Sequence, residues 1–454
     1  MRTKLSIMMF LEFFIWSSWF VLNFGYAPQV IGEKHVYTEI KLSADSDPIM
    51  VIDKPFVINS AFPIASLLAM FGLTALVDRK MSAEKYMFIA HMIGGLAMLG
   101  LGFASDYVPP DQMYLVFAAL MYIHCIAYVP TISVSNSIAF THLKNASHDF
   151  GRVRLWGTIG WIAASLPFTF LLTDWSKIQG ADTFSSGWFK MVFDPANGKT
   201  GDAWLHGVKY AYVAAGVASL LLSMISLVLP HTPPKQSSEP QKSAMGEAIG
   251  YLAKPFIFVL FVVTFVDAMI HQGYFLVTEG FLKEKVGIPA GFVLPVMSLG
   301  QVAEILTMAV LGWFLKSFGW RFTMILGVMG HAIRFGVFAF YPQQVPVIAS
   351  IMLHGICYAF FFATVYIFID AYFPTDVRTS AQGLFNFLIL GFGPFVANAL
   401  WPTLVKNTSV NGVVQWDKYF VYPSATALGA AVILLLFFHP PKQTATGNAG
   451  ALPH

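Results

Sequence analysis

Long apolar runs separated by short polar breaks recur from one end of the chain to the other. Each run is continuous rather than alternating, and a helix needs roughly 20 apolar residues to cross about 30 Å of hydrocarbon. Read this way, the sequence predicts twelve membrane helices, over 5–26, 56–77, 84–105, 111–142, 152–173, 207–230, 254–278, 289–316, 319–341, 344–372, 378–402 and 417–438. Several exceed the length of a perpendicular span, which predicts tilt or continuation into the interface. Strands of a membrane barrel are short and alternate with a period of two, so the runs point to helices. The fold class is an all-α membrane protein.

Composition agrees. Of 454 residues, 56% are hydrophobic and 11% charged, against about 45–50% and 25% in a soluble domain. A net charge of +3 is too small to imply a nucleic-acid partner. Cys125 and Cys357 both lie in apolar runs, with no spacing for a disulfide framework or a metal site, and no cofactor is implied. The start, MRTKLSIMMFLEFFIWSSWF, resembles a signal peptide but carries Glu12 inside its apolar run and no small-x-small cleavage site close behind. It reads as an uncleaved first span.

Arginine placement sets the orientation. With both termini in the cytoplasm, the inner segments hold Arg2, Arg79, Arg152, Arg154, Arg321 and Arg378, and the outer ones hold none. Outer lysines fall mainly in two long loops, 27–55 and 174–206, which weigh little in the positive-inside rule. The stretch HTPPKQSSEPQKSAMGE (231–247) is polar and rich in proline, serine and lysine. It divides the chain into a six-helix unit, 1–230, a cytoplasmic linker, 231–253, and a second six-helix unit, 254–454. Between the second and third spans stands TALVDRKMS (74–82). Its Asp78 and Arg79 read either as a conformational gate that pairs with a neighbouring helix end or as a plain turn with cytoplasmic anchors.

Six spans, a soluble linker and six more resemble the major facilitator superfamily, in which substrate sits near the midplane between two related units. The DR pair fits that superfamily's loop signature, although Thr74 stands where it usually has glycine. Five stretches together resemble the nucleoside:proton symporters, the bacterial nucleoside permeases. They are LEFFIWSSWF (11–20), YVPTISVSNSIAFTHLKNA (128–146), RVRLWGTIGW (152–161), GQVAEIL (300–306) and RTSAQGLF (378–385). The similarity runs over nearly the whole chain apart from the long outer loops. It implies a substrate site built from Arg154, Thr158 and Trp161, which share one helix face at i, i+4 and i+7. It adds Gln272 and Phe275 of the seventh span, Gln301 and Glu304 of the eighth, and His354 and Tyr358 of the tenth. Two positions depart from the family. Phe275 replaces an asparagine, and Ala359 stands where the family has an acid. Sites that hydrogen-bond a group reject analogues lacking it, so these changes predict an altered substrate preference.

The residues also have a reading of their own. A carboxylate deep in a span is expensive and must face a partner, water or the bundle interior. Glu304 is the first choice for a proton carrier, a substrate ligand, or both. Glu12 is a second proton-coupling candidate, and pairing with a basic residue across the bundle is the slightly favoured account of it. His354, a lone histidine in its run, either titrates or packs by hydrogen bonding. Arg334, well inside the ninth span, must find a carboxylate or carbonyls. Asp370 and Asp376 bracket the cytoplasmic end of the tenth span beside Arg378 and read as gate or cap residues. Arg152 is an anchor, whereas Arg154 is read as reaching into the central cavity toward substrate oxygens or Glu304.

The function expected is secondary active import of nucleosides by proton symport and alternating access, in the bacterial cytoplasmic (inner) membrane. The partners are a nucleoside, protons and the bilayer, and the expected state is a monomer. The alternative is a carrier of sugars or other nucleoside-like polyols, with coupling altered or lost. An enzyme is disfavoured because the chain has no histidine cluster, nucleophile elbow or phosphate loop. A sensor would need a signalling domain, and a channel a filter-like loop.

Overall fold

A computed structural model of the chain describes residues 1–32, 36–70, 81–143, 146–180, 182–233 and 244–440. Hydrocarbon offers the backbone no hydrogen-bond partner, so each apolar run bonds within itself as a helix. The helices are α1 (Arg2–Val30), α2 (Lys54–Asn59), α3 (Ala61–Leu68), α4 (Ala83–Tyr107), α5 (Pro110–His142), α6 (Ala146–Leu171), α7 (Ser186–Val192) and α8 (Gly201–Ser226). After the polar stretch come α9 (Ala244–Gly250), α10 (Pro255–Phe281), α11 (Ala290–Phe340), α12 (Gln344–Ile351), α13 (Leu353–Cys357), α14 (Thr364–Tyr372), α15 (Thr375–Asn386), α16 (Gly393–Asn407) and α17 (Trp416–Phe437). Among the described residues, nine helical segments are long and apolar enough to cross a membrane. One of them is the 51-residue α11, and it is broken at Gly319 (φ 70°, ψ 179°). Only glycine adopts that conformation cheaply, so the break falls where the sequence predicts two spans, 289–316 and 319–341.

Large apolar side chains face outward along the helices. Leu96, Leu115, Leu166, Leu221, Leu306 and Leu436 are all more than half exposed. In water such a girdle would drive aggregation; against lipid tails it is matched to its solvent.

The chain before residue 230 meets the chain after 255 along three seams: α6 on α11, α1 on α10, and α3 on the turn 387–392. Further contacts come from the long loops. The loop 27–55 contains an antiparallel hairpin, β1 (Val36–Lys41) with β2 (Pro48–Asp53). Asp53 ends it by capping α2, its Oδ1 accepting from the Phe56 amide at 2.8 Å. The Val51 amide donates to Thr403 Oγ1 at 2.9 Å, and Asn407 Nδ2 to the Pro48 carbonyl at 2.7 Å, which ties the hairpin to α16. Phe193 of the second loop stacks on Phe292 of α11 at 3.9 Å.

Candidate functional site

Where the seams meet, four helices contribute an aromatic wall. Trp16 of α1 stacks on Phe62 of α3 at 4.8 Å and meets Trp161 of α6 edge-on at 5.4 Å. Phe275 of α10 closes the wall, 5.6 Å from Phe20 and 6.4 Å from Trp161. The Ser17 hydroxyl donates to the Trp161 carbonyl at 2.8 Å and locks α1 against α6. The indole N–H of Trp16 is buried without a protein partner. A buried donor left unpaired is costly unless something else accepts from it.

Charge stands beside this wall. The Arg154 guanidinium lies 3.9 Å over the Phe13 ring, a cation–π arrangement, on the same α6 face as Thr158 and Trp161. Glu304 of α11 is half-buried and lies within electrostatic range of both Arg154 and the Tyr358 hydroxyl. Gln301, one turn earlier, is buried. Tyr358 opens a π-helical turn, Tyr358–Ala363, and Ala359 is buried within it. Such turns often occur at functional positions.

Gln272 is buried and donates to Asn398 Oδ1 at 3.1 Å. Asn398 donates to the Asn59 carbonyl at 2.8 Å, Asn23 to Asn59 Oδ1 at 2.9 Å, and Tyr212 to Asn23 Oδ1 at 2.9 Å. This amide chain runs from α8 to α10 and crosses between the two parts of the chain. Of its members, sequence reasoning singled out only Gln272. Asn23, Asn59 and Asn398 each interrupt an apolar run, and that was the available signal.

His354 is not a lone histidine. It stacks on His271 of α10 at 4.8 Å, and His271 in turn meets Phe275 at 5.5 Å and Tyr358 at 6.3 Å. Arg334 also departs from expectation. In place of a carboxylate or carbonyls, its Nη1 donates to His354 Nδ1 at 3.2 Å and its Nη2 to His331 Nδ1 at 2.8 Å. Its guanidinium lies 4.1 Å over the Tyr274 ring. Asp267 is fully buried nearby, with His331 Nε2 3.7 Å from Oδ1. Sequence reasoning missed Asp267, His271 and His331. The spacings Asp267/His271 (i, i+4) and His331/Arg334 (i, i+3) put each pair on one helix face, a usable sign.

Glu12 is fully buried and bound: Thr131 Oγ1 donates to Oε1 at 2.7 Å and His91 Nε2 stands 3.1 Å from Oε2. His91 Nδ1 is 3.1 Å from Ser219 Oγ. The partner across the bundle is thus a histidine of α4. Arg378 pairs with Asp370 at 3.0 Å. Asp78, Arg79 and the Asp376 side chain lie outside the described residues. Arg152 is exposed. Among the described residues no group of ligand-type side chains is arranged to hold a metal ion.

A bundle of long apolar helices, with buried polar groups and an aromatic wall where its two parts meet, defines a membrane transporter. The chain belongs to the Nucleoside H+ symporter family, which it matches over residues 1–184 and 200–443. It is 30% identical to the putative nucleoside transporter YegT of Escherichia coli K12, over 98% of this chain and 95% of that one. It is 25% identical to the xanthosine permease of the same organism, over 97% of each. A crystal structure of the nucleoside transporter NupG superposes with a TM-score of 0.73, at 20% identity, covering 97% of this chain and 99% of that one. A D-xylose–proton symporter shares the fold at a TM-score of 0.67 and 14% identity, covering 96% and 98%.

Proposed function

We propose that the protein imports nucleosides by proton symport. In this reading the chain forms twelve spans in two six-helix halves, 1–230 and 254–454, joined by the cytoplasmic linker 231–253. It works as a monomer in the bacterial inner membrane, with both termini in the cytoplasm. The nucleobase lies against Trp16, Trp161 and Phe275, since a base presents a π-face to aromatic rings whatever its identity. Arg154, Thr158, Gln272, Gln301, Glu304, His354 and Tyr358 supply the polar contacts around base and ribose. Glu304 takes up and releases the proton.

One observation carries the reading: Glu304 lies within electrostatic range of Arg154, whose guanidinium stacks on Phe13 beside the aromatic wall. A proton on Glu304 removes its attraction for Arg154, so protonation and the relative position of the halves are linked. Alternating access is the rocking of those halves. The contacts of hairpin and loop with α16 and α11, together with the amide chain, support a conformation closed at that end. Asp370–Arg378, with Asp78 and Arg79, is assigned to gating at the opposite end.

Uptake of labelled uridine and adenosine into vesicles, with and without an inward proton gradient, tests this. The gradient is expected to raise uptake, and Glu304→Gln to weaken the stimulation. Uptake indifferent to the gradient would dismiss the symport. A second reading draws on Phe275 and Ala359, where apolar side chains occupy positions at which the family carries polar ones. Fewer polar groups are then left to read the substrate, and a sugar or related polyol becomes the cargo. Competition by ribose or xylose against labelled uridine separates the two.

A further inference from the structure

Beside the aromatic wall lies a second buried charge cluster. Its centre is Asp267, fully buried, with neither carboxylate oxygen in a hydrogen bond. An unpaired ionised carboxylate in hydrocarbon is among the most expensive arrangements a protein can hold. The polar groups of this cluster come from three elements. From α11 come His331 and Arg334, from α13 His354 and Cys357, and from α10 itself His271 and Tyr274.

The hydrogen bonds settle the proton positions. Arginine only donates. The Nδ1 atoms of His331 and His354 therefore both accept, and both rings are neutral with the proton on Nε2. For His331 that places an N–H on the nitrogen 3.7 Å from Asp267 Oδ1, just beyond hydrogen-bond reach. Arg334, fully buried and always charged, is left with neutral imidazoles and the aromatic faces of Tyr274 and Phe335 as its direct contacts. Among the described residues, Asp267 is the carboxylate placed to balance it beside His331. The cluster does not end in the protein interior. His354 stacks on His271, and half-buried His271 touches Phe275 and Tyr358 of the candidate site.

We infer that Asp267 is a second proton-binding group of the transport cycle, with Arg334 as its counter-charge and His331, His354 and His271 linking its charge state to the substrate cavity. Proton uptake converts the carboxylate to the acid and release restores it; no other bond changes. Ionised Asp267 attracts the Nε2–H of His331 and the Arg334 guanidinium, and so favours the arrangement in which Arg334 bonds His354. Protonated Asp267 releases that attraction, and the His354–His271 stack beside the substrate is free to shift. This rests on the symport proposed above, but it assigns to Asp267 a coupling role without substrate contact.

The test uses purified full-length protein in proteoliposomes. Uridine accumulation at a fixed inward pH gradient is compared with uridine counterflow at equal pH, for the wild type, Asp267→Asn and Asp267→Glu. At a one-unit gradient, losing one coupled proton lowers steady-state accumulation about tenfold. Asp267→Asn is expected to show that loss with its counterflow half-saturation unchanged, and Asp267→Glu to retain accumulation. Wild-type-like accumulation by Asp267→Asn overturns the inference, as does a raised half-saturation, which would make Asp267 a substrate ligand. A wild type that ignores the gradient defeats the symport reading instead. If Asp267→Asn alone does not fold, the double variant Asp267→Asn/Arg334→Gln, which removes both charges, takes its place with the same two outcomes.

Discussion

Gly355 of α13 packs directly on the backbone of Glu304: a methyl group in its place would overlap the Glu304 amide nitrogen and the Ala303 carbonyl. Gly300, one turn away on α11, is held as closely, with a methyl there landing 2.8 Å from His354 Cβ. Small residues are how membrane helices approach each other closely, and here they fix the two elements that carry Glu304, His354 and Tyr358. Gly355→Val is expected to force the helices apart, costing about 1–3 kcal/mol, to lower the melting temperature in detergent and to abolish uptake. Gly429→Ala, where a methyl group meets nothing within 4 Å, is the matched control and should retain both.

Glu304 lies within electrostatic range of Arg154, so their substitutions should not add. Glu304→Gln is expected to weaken gradient-driven uptake and to raise the half-saturation for uridine, since the proposed site makes the side chain a substrate contact as well. Arg154→Lys keeps the charge but loses the planar stack on Phe13 and the fork of donors. It should transport with weakened affinity, and Arg154→Gln more weakly still. In the double variant Arg154→Gln/Glu304→Gln, the affinity loss should fall short of the sum of the singles by about 0.5–3 kcal/mol. Strictly additive losses would show that the two groups work independently.

The amide chain at the loop end makes a different prediction. Asn398 bridges the two parts of the chain by donating to Asn59 and accepting from Gln272. Asn398→Leu leaves a buried acceptor and a buried donor without their partner, at about 1–3 kcal/mol. That cost falls on the conformation closed at this end, so the opposite one gains population. Both native cysteines, Cys125 and Cys357, are fully buried, so a cysteine placed at Phe62 gives a clean signal. Its reaction with a membrane-impermeant maleimide added on the hairpin side should speed up in the Asn398→Leu background. An unchanged rate would mean that the hairpin contacts alone hold that end shut.

Much of this was legible in the sequence, for a physical reason. The bilayer forces apolar runs into helices, so Phe, Leu and Val runs give the positions of the long helices, nine of them among the described residues apolar enough to span, and Arg154, Thr158 and Trp161 lie on one face of α6. The break at Gly319 was legible as the boundary between two runs. What was not legible depends on contacts far apart in sequence. Asp267, His331 and His354 are 64 and 23 positions apart and gain meaning only once α10, α11 and α13 pack together. Arg334 shows the limit well: its burial demanded a partner, yet nothing local said that the partner would be imidazole. The hairpin in the first long loop was missed because its strands, exposed along β1, carry no alternating core pattern to reveal them.

Glu12 provides the last contrast. It is as buried as Asp267, but its carboxylate is held by Thr131 Oγ1 and by His91, which is itself braced by Ser219. The Glu12 carboxylate has its hydrogen bonds made within the protein, whereas that of Asp267 has none. Glu12 should therefore act mainly as a brace joining α1, α4 and α5, and Asp267 as a group that titrates in the cycle. Glu12→Gln keeps the shape and an acceptor for Thr131 while removing the charge. It is expected to lower stability by about 1–3 kcal/mol, seen as an earlier melting transition, while the ratio of gradient-driven to counterflow uptake stays at the wild-type value. A collapse of that ratio with unchanged melting would move Glu12 from the brace to the proton path.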